Sequence, residues 1–303
     1  MLEQSKEKGP MRPVVERPQV GKIGMSGSTS KRHLAFGAVI ALMLLSACGG
    51  GADSTPLEDL TAQQIFARGE RQLDNGQADD AAFSFGEIER LYPYSEVAQR
   101  ALIMQAFSFH RDEDYENSRA SSQRYLDFYP AEEDAAYAAY LLALSYYDQI
   151  DEVGRDQGLT FQALQSLRQV IEVYPDSEYA SPSVLKFDLA FDHLAAKEME
   201  IGRYYLKRGN YAAGVNRFRT VVEDFQTTTH TAEALHRLVE SYMALGLLEE
   251  AQTAGAILGY NYRSTQWYES SFTLLQGRNL PAEVSGDNWL GSVYRQVVRG
   301  EWL

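Results

Sequence analysis

Cysteine occurs once in this sequence, at position 48, which excludes a disulfide framework and a thiolate zinc site. Histidine occurs five times, at 33, 110, 193, 230 and 236, with no metal-binding motif around any of them. His230 and His236 are six apart, off the spacing that puts two ligands on one helix face, and read as surface or packing residues. Nine prolines and 23 glycines are too few for collagen-like or extensively low-complexity sequence. There is no G-x-S-x-G, no H-E-x-x-H and no glycine-rich phosphate loop. No catalytic site, cofactor site or metal site emerges. Basic residues are outnumbered, 28 against 42 acidic, for a net charge of −14. An acidic chain with no basic stripe is a poor candidate for binding nucleic acid. The acidic run Asp112–Glu116 lacks calcium-loop spacing and reads as a solvated turn. Glu132-Glu133-Asp134, directly after Pro130-Ala131, suits a helix start, where carboxylates favour the dipole. Apolar residues are plentiful: 45 % of the 303 are hydrophobic and 12 % aromatic, enough for two ordinary domains or one elongated array.

The N-terminal part reads as an export signal. Lys31 and Arg32 precede an apolar run from Leu34 to Leu45 that is too short to span a bilayer. Leu45-Ser46-Ala47-Cys48 follows and resembles the bacterial lipobox, in which the cysteine becomes the first, lipidated residue. The alternative, a buried helix ending in a free cysteine, fits poorly, because Gly49-Gly50-Gly51 comes next. Residues 1–24, with Pro10, Pro13 and Pro18, stand apart as an upstream extension, and Met25 makes the better start. The expected division is 1–24 extension, 25–47 signal peptide, 48–60 flexible tether, 61–265 folded solenoid and 266–303 C-terminal extension. Residues 1–47 hold seven of the basic and three of the acidic residues, so the mature chain keeps 21 against 39, a net of −18. Its one thiol would be consumed by lipid, and more than one acyl chain would be needed to anchor it firmly.

From Ala62 the pattern is helical and repeats. Tyr92-Pro93, Tyr129-Pro130 and Tyr174-Pro175 each end an amphipathic stretch. A fourth unit runs from Ala195 to Gln226, and a fifth starts at Ala232. These units resemble tetratricopeptide repeats. Gly69 and Gly202 stand where the two helices of a repeat approach closely. Gly76, Gly209 and Gly246 suit left-handed helix ends. Ala81, Ala163 and Ala251 are the small positions of second helices, with Phe85 and Phe218 one turn further on. The expected fold is all-α: an α-solenoid of about five helix-turn-helix repeats, each burying its apolar face on its neighbour. The competing reading is an unrelated helical bundle with accidental spacing. Residues 151–158 interrupt the third unit as an insertion, either a functional loop or a tolerated surface one.

A more specific resemblance lies in Asp192-His193-Leu194-Ala195, Glu198, Tyr204-Tyr205, Arg208-Gly209-Asn210-Tyr211 and Val215-Asn216-Arg217. With the lipobox, this run resembles the BamD (ComL) family, lipoproteins of the outer-membrane β-barrel assembly machine. The resemblance covers about Thr61 to Ser264. His193 departs from the family's arginine, Gln226 from its proline, and Ala131 from the histidine common after Pro130. The resemblance implies a non-enzymatic, periplasm-facing adaptor on the outer membrane, anchored by cleavage before Cys48 and acylation. Gly49, in place of aspartate, favours that membrane over the inner one. The implied partners are BamA, its companion lipoproteins and the C-terminal segments of unfolded outer-membrane proteins. The alternatives are an NlpI-like lipidated repeat scaffold that recruits cell-wall hydrolases, and an enzyme with an unrecognised site.

Two sets of residues carry the expected binding. In tetratricopeptide repeats the first helix of each pair lines the concave side. The corresponding residues here are Phe66; Arg100, Ile103, Phe107 and His110; and Tyr137, Tyr140, Leu144 and Tyr147. The last four are spaced 3, 4 and 3, which is one helix face. They read either as inter-repeat core or as exposed aromatics that take an aromatic-rich strand, with Arg100 or Arg111 meeting its carboxylate. The second set is Arg217, with Asn216, Arg208 and Glu198. Arg217 follows the helix rotation roughly 100° away from Phe218 and is expected to be exposed. The family resemblance has it facing an acidic residue of BamA.

Overall fold

The computed structural model describes residues 55–283 and 289–299, all of whose regular structure is helical. Cys48, the signal and the upstream segment lie outside these residues. A short 3-10 turn, Leu57–Asp59, leads into five helix pairs. These are α1 (Ala62–Asp74) with α2 (Ala78–Leu91), α3 (Ala98–Arg111) with α4 (Tyr115–Phe128), and α5 (Ala135–Tyr147) with α6 (Gly158–Val173). The fourth and fifth pairs are α7 (Ala180–Lys207) with α8 (Tyr211–Asp224), and α9 (Thr231–Leu245) with α10 (Leu248–Asn261). Each helix packs on the next in sequence, the signature of a solenoid. The all-α repeat array expected from the sequence is the fold.

Local chemistry sets the helix ends. Thr61 and Gln64 form a capping box at the start of α1, with Thr61 N–H donating to Gln64 Oε1 at 2.9 Å. Asp114 caps α4 by accepting from the Asn117 N–H at 3.2 Å. The acidic run at 112–116 is therefore a helix start, with Glu113 at φ 61° in the turn before it. Tyr92, Tyr129 and Tyr174 leave helical geometry as the caps of α2, α4 and α6, and Phe225 and Tyr262 do the same for α8 and α10. Gly76, Gly209 and Gly246 hold the left-handed turns between paired helices, at φ 76°, 72° and 77°.

The glycine-for-close-approach reading holds within the first and fourth pairs. A Cβ on Gly69 would sit 2.7 Å from the Phe85 ring, and one on Gly202 would sit 2.4 Å from Phe218. Both rings are fully buried. The phenylalanine of the second helix fills the space that the missing methyl of the first leaves open.

Two features were not legible in the pattern. The sequence places the start of the fourth unit at Ala195, but α7 begins at Ala180 and runs 28 residues. Pro182 lies in its first turn, where no intrahelical N–H is required. The added half packs Ala190 and Leu194 against Leu164 of α6. Beyond Thr265 two more helices follow, α11 (Gln266–Gln276) and α12 (Trp289–Arg299). α11 lies against α9 and α10, and α12 lies against α10. Leu275, Leu290 and Val293 join the core of the last repeats. Two glycines one turn apart on α10 admit this cover: Gly255 faces Leu275 and Gly259 faces the Tyr268 ring, both closer than a Cβ would allow comfortably. The solenoid thus ends in covered apolar surface, as repeat arrays require.

Candidate functional site

The first helices form one layer. α1 touches α3, α3 touches α5, and α5 touches α7, whereas the second helices of these four repeats have no comparable contact with one another. The closer row is the inner, concave side of the stack. The sequence-derived residues on it divide by depth. Phe66 and Ile103 are 6 % and 4 % exposed and belong to the core, so they offer no surface. Phe66 packs edge-on to Phe85, which draws it under the Arg100 guanidinium at 5.0 Å. Arg100 itself is exposed and also reaches Glu70 at 3.7 Å. Phe107, His110, Tyr137, Tyr140, Leu144 and Tyr147 are half-buried. They are packed on one side and open on the other.

The centre of this face is a tyrosine cluster. Tyr137 and Tyr140 both lie against Tyr179, at ring distances of 5.2 and 5.3 Å. Tyr179 comes from the residue that precedes α7, and no periodicity in the sequence marked it. Burial pushes the Tyr137 hydroxyl up to about 12, with Tyr179 and Asp134 adding to the effect. Burial also raises Tyr140 and Tyr147. The Lys186 ammonium sits over the Tyr147 ring at 4.6 Å. His110 Nε2 lies 3.1 Å from Asp148 Oδ2 but off the line of a hydrogen bond. Arg111 lies over Phe107 at 5.9 Å and, among the described residues, has no carboxylate partner. The face therefore presents aromatic rings with a cation at the edge. That chemistry suits contact with an extended apolar segment.

The second set sits on the fourth pair. Arg217 is partly exposed, as its helical position implies, but it is already engaged, with Nη1 donating to Glu198 Oε2 at 3.1 Å. Glu198 thereby fixes the orientation of Arg217. Asn216 is exposed beside it. Arg208 stacks on Tyr204 at 4.4 Å. The insertion at 151–158 is held down on α7: Lys197 Nζ donates to the Gly154 carbonyl at 2.6 Å, and His193 Nδ1 meets Gln157 Oε1 at 3.1 Å. His193, a departure from the family pattern, thus touches the segment that interrupts the repeat.

A further network went unmarked in the sequence. On the first helices of the last two repeats Glu233 joins Arg203 at 3.0 Å and Arg237 at 3.2 Å, and Arg237 joins Glu240 at 2.8 Å. His236 is 4 % exposed. Its Nδ1 meets Ser271 of α11 at 2.8 Å, and its Nε2 is 3.5 Å from Glu240. Burial alone would raise the Glu240 carboxyl, but His236 and Arg237 outweigh it and hold it down to about 2. Alternating charges at helical spacing are the signal that would have found this network.

The family model described as outer membrane lipoprotein (YfiO) matches residues 58–257. A protein of Caulobacter vibrioides is 41 % identical over 245 residues, 80 % of each chain. One of Rickettsia prowazekii is 42 % identical over 234 residues, 77 % of this chain and 93 % of its own. One of Neisseria meningitidis is 24 % identical over 234 residues, 73 % and 88 %. All three carry the name outer membrane protein assembly factor BamD. The chain belongs to the BamD (YfiO) family of outer membrane lipoproteins.

Proposed function

We propose that this protein is a lipid-anchored, non-enzymatic adaptor of outer-membrane protein assembly. Acylated Cys48 holds it on the periplasmic face of the outer membrane. The concave face of the first three repeats receives the C-terminal segment of an unfolded barrel protein. The fourth and fifth repeats hold the periplasmic domain of BamA, in company with other lipoproteins of that machine. The observation that carries this reading is the half-open row Phe107, Tyr137, Tyr140 and Tyr147 on a continuous first-helix layer, in a chain of this family. Half-buried rings give a segment apolar area without first having to be pulled out of a core. Arg111, with no carboxylate partner among the described residues, is the better placed of the two arginines to meet the segment's carboxylate.

At the BamA contact Arg217 is the anchor, Asn216 a polar neighbour at the rim, Glu198 the residue that aims the guanidinium and Arg208 a stacked cation at the neighbouring turn. A guanidinium pre-oriented by Glu198 still has a second edge for a partner carboxylate. If the new pair is buried on association, Arg217→Glu costs on the order of 2–5 kcal/mol of binding. Titration calorimetry with the BamA periplasmic domain checks this, with circular dichroism to confirm intact helices. A matching acidic-to-basic change on BamA should restore the complex. Unchanged affinity would remove Arg217 from the contact. For the anchor, intact mass of detergent-extracted protein should show a chain that begins at Cys48 with added acyl mass. A chain that begins at Met25, or at Cys48 without that mass, contradicts it.

A further inference from the structure

The helices beyond the fifth repeat complete a cleft that the repeats alone do not form. The C-terminal ends of α7, α9 and α11 border an open cavity of about 600 Å³. Its apolar walls are Leu206 from α7, Met243 and Ala244 from α9, and Leu274 from α11. Leu274 is 38 % exposed. A large apolar side chain left this open in the wall of a cavity is surface that a partner can cover.

The charges at its edge are one-sided. Glu240 lines the cavity, but Arg237 and His236 already engage its carboxylate. Arg278 also lines it and, among the described residues, has neither a carboxylate within ion-pair distance nor a side-chain hydrogen bond. Lys207, the last residue of α7, and Arg208 follow the lining Leu206 in sequence; both are exposed, and among the described residues neither has a carboxylate within ion-pair distance, Arg208 resting on the Tyr204 ring. Helix C-termini tolerate cations well, which lets them stay unpaired. Among the lining residues the carboxylate is thus engaged and the guanidinium is not, which favours an acidic segment over a basic one.

We infer that the cleft docks an acidic segment of a protein partner. The segment inserts a leucine- or phenylalanine-sized side chain between α9 and α11 and sets its carboxylates against Arg278 and Lys207. The cleft borders the repeats given above to BamA, but Arg217 is not among its walls, and α11, which supplies Leu274, lies beyond the residues matched by the family model.

Fluorescence anisotropy of the full chain tests it. The probes are a short labelled peptide alternating leucine and glutamate, its leucine–lysine counterpart, and phosphatidylglycerol vesicles. The glutamate peptide should bind saturably and more weakly at high salt, and the lysine peptide should not bind. Arg278→Glu and Leu274→Asp change exposed side chains and leave the helices formed. Each should weaken the glutamate peptide about tenfold or more. Equal binding of both peptides, unchanged affinity in both variants, or binding of the vesicles in place of the peptide would overturn the inference.

Discussion

The third and fifth repeats present the same helix face with opposite chemistry. In α5 the inner positions are Tyr137, Tyr140, Leu144 and Tyr147, and the same spacing in α9 brings Glu233, His236, Glu240 and Met243. The backbone register is shared, and the small or branched residues behind it, Ala143 and Val239, are fully buried in both. One face is half-open aromatic surface. The other is occupied at Glu233, His236 and Glu240 by its own ion pairs and by Trp267 and Ser271 of α11, and opens only at its C-terminal end, where Met243 borders the cleft. A repeat fold fixes where side chains emerge and leaves their chemistry free, so neighbouring repeats can divide the labour. The aromatic face can take an apolar segment without breaking internal contacts. The charged face must first give up charge-assisted bonds.

The strongest way to break this division is to remove a core ring from one side only. Phe218→Ala should cost about 3–5 kcal/mol, because it empties a fully buried site facing Gly202. In a solenoid the loss should stay local. Hydrogen exchange should accelerate through α7–α10 and stay at the wild-type rate in α1–α4. Uniform acceleration would show that both faces belong to one cooperative unit. Gly202→Ala comes next, at about 1–3 kcal/mol, since the new methyl would meet Phe218 at 2.4 Å. Denaturant melts of this variant beside Gly69→Ala show whether the two halves are packed with equal strictness.

Glu240→Gln sharpens the charged side. It should cost about 1 kcal/mol at neutral pH, by weakening the bonds to Arg237 and His236. A carboxyl held down to about 2 in the fold, against 4.5 when free, stabilises the protein fully above pH 4.5. That stabilisation is lost as pH falls toward 2. Acid titration should therefore bring wild type down to the variant over this window, and parallel curves would contradict the network. The smallest effect belongs to the aromatic side. Tyr137→Phe should change stability by less than about 0.5 kcal/mol at pH 7. With its hydroxyl pushed from 10.0 up to about 12, wild-type Tyr137 favours the fold below pH 10 and loses that advantage as pH rises to 12. The variant should resist this alkaline loss, as urea melts at both pH values would show.

The repeat architecture was legible because its demands are local and periodic. Tyr-Pro pairs end helices, glycines mark left-handed turns, and Gly69 and Gly202 leave room for Phe85 and Phe218. The first-helix face was legible as a stripe, but its depth was not. Phe66 and Tyr140 occupy the same repeat position, yet one is core and the other half-open, because Phe85 takes up Phe66 from behind. Tyr179 was invisible to periodicity, since it reaches the face from the entry to the next helix. The tail was missed because its dock is written as an absence of side chain, at Gly255 and Gly259. Arg217 was readable as exposed, but its pairing with Glu198 joins two helices and leaves no trace in a linear pattern.

The central claim is that the aromatic face, and not its charged counterpart, receives unfolded barrel segments. Photo-crosslinkers at Phe107 and Tyr140, with Glu233 as the inner-face control on α9, test it most directly. A peptide of the C-terminal strand of an outer-membrane barrel protein should be captured at Phe107 and Tyr140, be captured far less at Glu233, and lose that capture when scrambled. Equal capture of the scrambled peptide, or capture at Glu233 as strong as at Tyr140, would contradict the account.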